Sequence, residues 1–226
     1  SGLFSLAAKR LGASVYSFDY DPNSVAATRK LKHHFFGADK QWVIEEGSVL
    51  DKGYLKSIGE FDIVYSWGVL HHTGAMWDAL ENVDMNVKEN GLLALALYND
   101  QGRASVKMTR IKKLYNKLPV PLNHIFATGF IARTELRPFL SRLIRFKPQV
   151  YFSDIKNYKE KRGMDWKTDK LDWIGGYPFE VSQPEEIFNF FKRKGYVLSA
   201  LKTAGGGHGN NQYVFCKEKQ RPNSIS

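Results

Sequence analysis

The chain has 226 residues, about one and a half times the ~150 residues of a typical domain, so we expect one elaborated domain or a domain with an insertion. Apolar residues make up 43%, aromatic residues 14% and charged residues 25%, a composition that excludes a disordered chain. No apolar run approaches the ~20 residues of a membrane-spanning helix, so we expect a cytoplasmic protein without a transmembrane segment. The single cysteine, Cys216, excludes an internal disulfide and a cysteine-based zinc scaffold.

Positive charge is concentrated in one segment of the chain. Residues 102–170 carry 17 Lys and Arg against 5 Asp and Glu, and the rest of the chain is slightly acidic. This change in composition indicates a helical insertion in an otherwise different α/β unit, although the basic residues could also be an ordinary solvated helix surface.

The first hundred residues alternate between helical and strand patterns. Asp21-Pro22 is typical of a helix start, with an N-cap followed by proline at the first helical position. Asn90-Gly91 has the composition of a turn. The predicted helices are 3–11, 22–32, 54–58 and 76–87, and the predicted strands are 13–19, 41–46, 61–67 and 92–98.

The second half of the chain begins with long basic amphipathic stretches. They predict helices in 105–118, 135–146 and 153–163, with breaks at Pro119, Pro121 and Pro148. The chain then returns to the sheet pattern with a helix from Gln183-Pro184 and a closing hairpin. Strand–helix alternation favours a Rossmann-like, doubly wound α/β fold with a mostly parallel sheet and an antiparallel closing hairpin.

Four segments follow from this pattern. We expect a Rossmann-like part over residues 1–101 and a basic helical insertion, or lid, over 102–178. A C-terminal helix with the closing hairpin is expected over 179–218, followed by a disordered tail over 219–226.

Ligands of doubly wound sheets bind beyond the carboxyl ends of the strands, so the residues that follow each strand are the first candidates. A carboxylate at such an end can accept hydrogen bonds from both hydroxyls of a ribose. Asp19 fits this role, because Asp21 is already available as the helix cap. The other strand ends lie at 47–49, 66–68 and 98–100.

Four motifs in register resemble one enzyme family. SGLFSLAAKRLGASVYSFDYDP, EEGSVLD, FDIVYSWGVLHHTGAMWDALENV and NGLLALALYND look like class I S-adenosylmethionine-dependent methyltransferases, particularly the ubiquinone-biosynthesis-like branch. The resemblance covers residues 1 to about 101 and the closing hairpin. It implies S-adenosylmethionine as the cofactor, and it places Gly2 last in a glycine-rich loop whose earlier part is absent, as in an N-terminally truncated chain.

The same resemblance assigns cofactor contacts to individual residues. Asp19 would bind the ribose hydroxyls and Tyr20 would flank the adenine, while Ser48 and Val49 would reach the adenine edge. The turn at Ser66-Trp67 would face the methionine part. Where this chain has Ser48 the family often has an acidic residue, so either Asp51 or a water would bind the adenine amino group.

Several residues could activate or contact the molecule that accepts the methyl group. A hydroxyl acceptor usually requires a base, and His71 or His72 could supply it, although HHTG could also be a plain loop. We expect no metal site; Asn99-Asp100 as metal ligands is an alternative less favoured than a turn. The remaining substrate candidates are Tyr98 and Asn99 at a strand end, Tyr177 in the segment GGYPFEV, and His208 and Asn210 in the glycine-rich turn GGGHGNN.

Three functions therefore compete. The leading hypothesis is a methyltransferase that acts on a small molecule, by O-methylation, with the basic helices as a lid that recognises a phosphate-bearing or lipid-linked acceptor. A second is an RNA or tRNA methyltransferase, because basic and aromatic residues are interleaved, although no RNA-binding motif supports it. The third is a non-catalytic binding module whose amphipathic helices contact an anionic membrane peripherally.

Overall fold

The computed structural model describes residues 2–205 and 209–219. Two short 3₁₀ turns, Leu70–His72 and Asp84–Asn86, supplement the regular elements. The strands are β1 Val15–Asp19, β2 Trp42–Glu46, β3 Phe61–Trp67, β4 Val87–Tyr98, β5 Tyr196–Lys202 and β6 Asn210–Lys217. The helices are α1 Leu3–Arg10, α2 Pro22–Phe36, α3 Lys52–Ile58, α4 Met76–Val83, α5 Arg103–Lys117, α6 Leu122–Ile144, α7 Pro148–Lys156, α8 Tyr158–Arg162, α9 Trp166–Gly175 and α10 Pro184–Arg193.

The strands form two sheets. β1 and β2 pair in parallel, with Asp19 opposite Glu46, and the other four strands are ordered β3-β4-β6-β5. Within the described residues β1 and β3 therefore belong to different sheets. The fold is Rossmann-like α/β with helices flanking the sheet, as the strand–helix alternation predicts.

The prediction around Asn90-Gly91 is wrong. These residues lie inside β4, which begins at Val87 rather than Leu92, and the preceding helix ends at Val83. Asn90 has a φ of 61°, a left-handed conformation that asparagine tolerates better than most residues. A Cβ at Gly91 would lie 2.8 Å from the carbonyl oxygen of Lys88, so the close backbone approach requires glycine. The two residues that resemble a turn thus accommodate an irregularity within a strand.

The chain divides into two compact units. In its described part, unit 1 consists of residues 2–64, 77–93 and 217–219, and unit 2 consists of residues 65–76, 94–205 and 209–216.

Unit 1 is organised around the β1–β2 pair. The Asp21 carboxylate accepts hydrogen bonds from the backbone N–H groups of Asn23 and Ser24 at 3.1 Å, which caps α2 as predicted. Trp42 is fully buried, and its indole N–H donates to the Ser17 hydroxyl at 3.1 Å. The Asp21 cap thus defines where α2 begins, and the buried Trp42 side chain links β2 to β1.

The basic segment forms a helical part of unit 2. Pro119 and Pro121 lie between α5 and α6, and Pro148 begins α7, so these three breaks are confirmed. Pro138 lies inside α6, and the segment contains five helices where the amphipathic stretches predict three. None of the helices in the described part of the chain is long and apolar enough to cross a membrane.

Candidate functional site

The carboxyl ends of β1 and β2 lie side by side in unit 1. The backbone N–H of Gly47 donates to the carbonyl oxygen of Asp19 at 3.0 Å, which brings Asp19 next to the turn that contains Ser48. A Cβ at Gly47 would lie 2.3 Å from the Tyr54 ring, so only glycine fits at this position of the turn. Parallel pairing therefore places the predicted ribose and adenine contacts at one edge of the sheet.

Asp19 and Tyr20 retain the capacity to bind a ligand. One Asp19 carboxylate oxygen, Oδ1, accepts a hydrogen bond from the backbone N–H of Asp21 at 3.0 Å, and the side chain is exposed. An ionised carboxylate has about four acceptor positions, so this single bond leaves room for two ribose hydroxyls. Tyr20 beside it is 80% exposed, which leaves its ring available to an adenine.

Gly2 also has the backbone conformation that the resemblance implies. It precedes α1 with a φ of 79°, and a Cβ there would lie 2.8 Å from the Thr28 side chain. Both observations favour glycine at this position, as in a loop that approaches a ligand closely. Together with Asp19 and Tyr20, they fit S-adenosylmethionine in unit 1.

Ser48, Val49 and Asp51 have structural roles at the same edge. The Ser48 hydroxyl accepts a hydrogen bond from the backbone N–H of Leu50 at 3.1 Å, and Val49 is 8% exposed with its carbonyl bonded to Asn82. Asp51 caps α3 through the backbone N–H of Tyr54. These bonds order the turn, and the partner of the adenine amino group stays a prediction.

Unit 2 contains a cavity of about 490 Å³. This volume lies within the ~300–1,000 Å³ of typical small-molecule sites. The lining combines a histidine, aromatic rings, two carboxylates and glycines: Gly68, His72, Tyr98, Asp169, Asp172, Trp173, Gly175, Gly176 and Tyr177. The cavity thus brings together three residues that are predicted to contact or activate the methyl acceptor: His72, Tyr98 and Tyr177.

The hydrogen bond of His72 fixes its tautomer. Nδ1 lies 2.7 Å from the carbonyl oxygen of Pro178, and because a carbonyl can only accept, Nδ1 carries the proton. Burial lowers the pKa of His72, and the positive charge of Lys112 lowers it further, whereas the Pro178 bond, Asp172 and Glu180 raise it. A neutral ring with a proton on Nδ1 has an unprotonated Nε2, so His72 can accept a proton there.

His71 has a different environment from its neighbour. It is fully buried, and its Nδ1 accepts a hydrogen bond from the backbone N–H of Tyr98 at 3.1 Å. Burial, followed by repulsion from His72 and Lys112, lowers its pKa to about 3. Its Nε2 is buried and has no hydrogen-bond partner among the described residues. His71 is thus neutral with the proton on Nε2, and its acceptor nitrogen is already used.

A buried lysine lies behind the cavity wall. Lys112 of α5 is fully buried, donates to the carbonyl oxygen of Trp173, and places its ammonium 4.7 Å from the Trp173 ring centre and 5.0 Å from that of Phe179. Burial lowers its pKa to about 8, and Asp172 opposes this effect. The two aromatic faces and the carbonyl partly replace the water that the ammonium has lost.

The ring of Tyr98 packs against the rings of both His71 and His72. Its ring centre lies 4.0 Å from that of His71 and 5.4 Å from that of His72, and Phe179 packs against it at 5.0 Å. Burial raises the pKa of the Tyr98 hydroxyl, and the negative charges of Asp172 and Asp169 raise it further. Tyr98 therefore stays protonated near neutral pH and can donate a hydrogen bond into the cavity.

The segment after α9 holds the histidine loop in place. Besides the Pro178 bond to His72, the backbone N–H of Glu180 donates to the His71 carbonyl at 3.0 Å, and the Glu180 carboxylate accepts from the backbone N–H of Met76 at 3.0 Å. Ser182 then pairs with Asn99 in a parallel bridge. The motif GGYPFEV thus supplies Tyr177 to the cavity and supports both histidines.

The other candidates that the structure describes in unit 2 are not among the residues that line the cavity. The Asn99 side chain accepts a hydrogen bond from Asn211 at 2.9 Å, which fastens the closing hairpin, and it is not part of the cavity lining. The side-chain oxygen of Asn210 is buried and has no hydrogen-bond partner among the described residues. His208 lies outside the described residues. Ser66 and Trp67 end β3, directly before Gly68 of the cavity, and Trp67 stacks on Tyr65 at 5.4 Å.

Sequence reasoning missed three residues at or behind the cavity: Lys112, Asp169 and Asp172. Lys112 extends the buried helical stripe of Ser105 and Met108, and this periodicity is a signal that could have identified it. The two aspartates have no comparable signal. Among residues 2–205 and 209–219, no group of three or more His, Cys, Asp or Glu side chains is placed to hold a metal ion.

The N-terminal part of the chain is similar to a known family. Residues 1–93 match a family model described as a methyltransferase domain. No curated protein matches.

Solved structures share the fold at low sequence identity. Magnesium protoporphyrin IX methyltransferase from Synechocystis PCC 6803, with bound SAH, has a TM-score of 0.53 at 12% identity, over 96% of this chain and 71% of that one. PKMT2 from Rickettsia typhi has a TM-score of 0.58 at 9% identity, over 97% of this chain and 46% of that one. The cyclase SpnF has a TM-score of 0.53 at 10% identity, over 96% and 72%.

The family match, the strand-end residues and the fold agree with one another. Residues 1–93 are thus similar to a methyltransferase domain, and the chain shares its fold with a methyltransferase solved with bound SAH.

Proposed function

We propose that the protein methylates a hydroxyl group of a small molecule bound in the cavity of unit 2, with His72 as the general base. The hydrogen bond from His72 Nδ1 to the Pro178 carbonyl carries this proposal, because it leaves Nε2 as the proton acceptor. When bound, S-adenosylmethionine supplies the electrophilic methyl group on its sulfonium. The protein's part is to orient the acceptor, exclude water and take up the hydroxyl proton.

The environment of His72 suits a base at neutral pH. Because burial lowers its pKa, the ring is neutral near pH 7 and ready to accept a proton. Asp172 and Glu180 stabilise the imidazolium that would form, while Lys112 opposes it. The hydrogen bond from Nδ1 to the Pro178 carbonyl also holds the imidazole ring in one orientation, so Nε2 keeps a constant direction.

The lining of the cavity narrows the class of acceptor. Trp173 and Tyr177 offer rings to a flat or apolar part, and Tyr98 offers a hydroxyl donor. The side chains with formal charge in the described lining are Asp169 and Asp172, and no Lys or Arg is among them. The cavity therefore favours a neutral or cationic acceptor over one with several phosphate groups.

The proposal is tested by S-adenosylhomocysteine formation with a panel of small hydroxyl compounds and matched amines. We expect turnover with hydroxyl acceptors and its loss in His72→Asn, while S-adenosylhomocysteine affinity measured by calorimetry stays unchanged. Hydroxyl methylation that survives at the parental rate in His72→Asn would contradict the role of His72. The similarity in fold to a cyclase makes the product assay necessary, because a fold by itself does not determine the reaction.

A further inference from the structure

The positive charge of the basic segment does not line the cavity. Three of its arginines lie together on the outer side of α6. This surface, here called the α6 arginine face, borders an open groove of about 530 Å³. It consists of Arg133, Leu136, Arg137, Leu140, Ser141, Ile144 and Arg145.

Helical spacing explains why these residues share one face. They recur at intervals of three and four, so they lie on one side of α6. The opposite side packs inward, where Glu135 pairs with Lys170 at 2.9 Å, Arg142 pairs with Asp154 at 2.6 Å, and Phe139 contacts Tyr151. The charged side chains on the inner side of α6 thus form ion pairs within unit 2, whereas the charged side chains of the α6 arginine face are all arginines.

Large apolar side chains are exposed along the middle of this face. Leu136 is 54% exposed, Leu140 42% and Ile144 76%, and Phe146 just beyond the helix is 89% exposed. A contiguous exposed apolar stripe on a protein surface indicates an interaction site. Here arginines border the stripe, and Glu135 on the inner side is the one acidic residue between positions 131 and 152.

We propose that the α6 arginine face binds peripherally to the surface of an anionic phospholipid bilayer. Leu136, Leu140 and Ile144 would enter the boundary between headgroups and acyl chains. Arg133, Arg137 and Arg145 would extend their side chains to the lipid phosphates. An amphipathic helix with an aliphatic face and a cationic border has the chemistry that such an interface recognises.

Other partners fit this face less well. A second copy of the face would bring its arginines against like charges. RNA would contact the arginines, but it would leave the aliphatic stripe in water, and the centre of the face has no aromatic ring for base stacking. Charge complementarity and the apolar stripe together therefore favour a lipid surface.

The test is co-sedimentation of the full chain with vesicles of phosphatidylcholine, with and without phosphatidylserine. We expect binding only to the anionic vesicles. Each exposed arginine near such a surface contributes about fivefold to partitioning, so Arg137→Gln/Arg145→Gln should weaken binding about 25-fold. Ile144→Asn should weaken it about tenfold, because the apolar side chain no longer enters the bilayer.

Matched controls separate this site from general attraction. Lys113→Gln/Lys117→Gln removes the same charge from exposed positions of α5, and Val106→Asn removes an apolar side chain that is 53% exposed there. Both should bind anionic vesicles nearly as well as the unchanged protein. Equal loss in the control and α6 variants would overturn the proposal, as would equal binding to phosphatidylcholine alone.

A second measurement does not depend on variant affinities. A fluorophore that reports polarity, attached at Phe146→Cys in a Cys216→Ser background, should move to an apolar environment on anionic vesicles. The same label at Lys113→Cys should stay in water. A label at position 146 that responds to RNA or to self-association, and not to vesicles, would also overturn the proposal.

Discussion

The imidazole of His72 donates from Nδ1 to the carbonyl oxygen of Pro178 at 2.7 Å, across 106 positions of sequence. This contact joins the loop after β3 to the segment after α9. It determines which nitrogen of the candidate base is available, and the predictions about catalysis depend on it.

His72→Asn should lower kcat by about 10²–10⁴-fold, because general-base catalysis contributes that much. His124→Asn on the exposed surface of α6 is the matched control and should leave kcat unchanged. The measurement is S-adenosylhomocysteine release under saturating acceptor, with circular dichroism as a check on folding. A His72→Asn protein with the parental kcat would show that the hydroxyl proton goes elsewhere.

The pH dependence of kcat/KM should show an acid limb below pH 6.5. Protonated His72 cannot act as the base, and burial lowers its pKa below the ordinary value of 6.5. Activity is therefore retained as the pH falls through 6.5 and is lost only at lower pH. A limb at or above 6.5, measured with the unchanged protein, would assign the base to another group.

Stability should depend on His71 in mildly acidic solution. The folded protein holds the pKa of His71 at about 3, against 6.5 in the unfolded chain, so the unfolded state binds the proton first. The stabilisation is complete above pH 6.5 and is lost as the pH falls towards 3, by at most ~1.4 kcal/mol per pH unit.

His71→Asn should flatten this part of the stability curve, since asparagine can still accept the hydrogen bond from the Tyr98 backbone and does not titrate. Urea unfolding of both proteins between pH 7 and pH ~4.5 would measure the difference. Parallel curves would mean that His71 is not held neutral in the folded protein.

Asp19→Asn should weaken S-adenosylhomocysteine binding by at least about tenfold, because charge-assisted hydrogen bonds to two ribose hydroxyls are lost. Asp21→Asn is the matched control at the same strand end. It weakens the cap of α2 and should change stability by less than ~1 kcal/mol without changing affinity. Calorimetric titration distinguishes the two. Equal affinities in the two variants would remove Asp19 from the cofactor site.

Gly176→Ala should lower kcat about tenfold while the fold stays intact. The added Cβ would lie 3.3 Å from His72 Cε1 and 3.6 Å from Lys112 Nζ, so the imidazole must shift, and small displacements of catalytic groups are costly. Gly129→Ala in α6 meets nothing within 4 Å and serves as the control, with a slight gain in stability. An unchanged kcat in Gly176→Ala would mean that His72 tolerates the shift.

The sequence alone determined the α/β class, the positions of most strands and the candidate ribose carboxylate. These features depend on local signals: apolar runs for buried strands, Asp21-Pro22 for a helix start, and an aspartate at the end of a strand. Asn90-Gly91 shows the limit of such signals, because a turn-like pair can also lie within a strand where two backbones approach closely.

Tertiary structure decided the roles of the two histidines. His71 and His72 are adjacent and chemically identical in the sequence, yet the backbone of Tyr98 occupies the acceptor nitrogen of one and the carbonyl of Pro178 takes the proton of the other. Lys112, Asp169 and Asp172 reach the cavity region only through the packing of α5 against α9. Tautomer, burial and pKa depend on neighbours distant in sequence, so local patterns could not supply them.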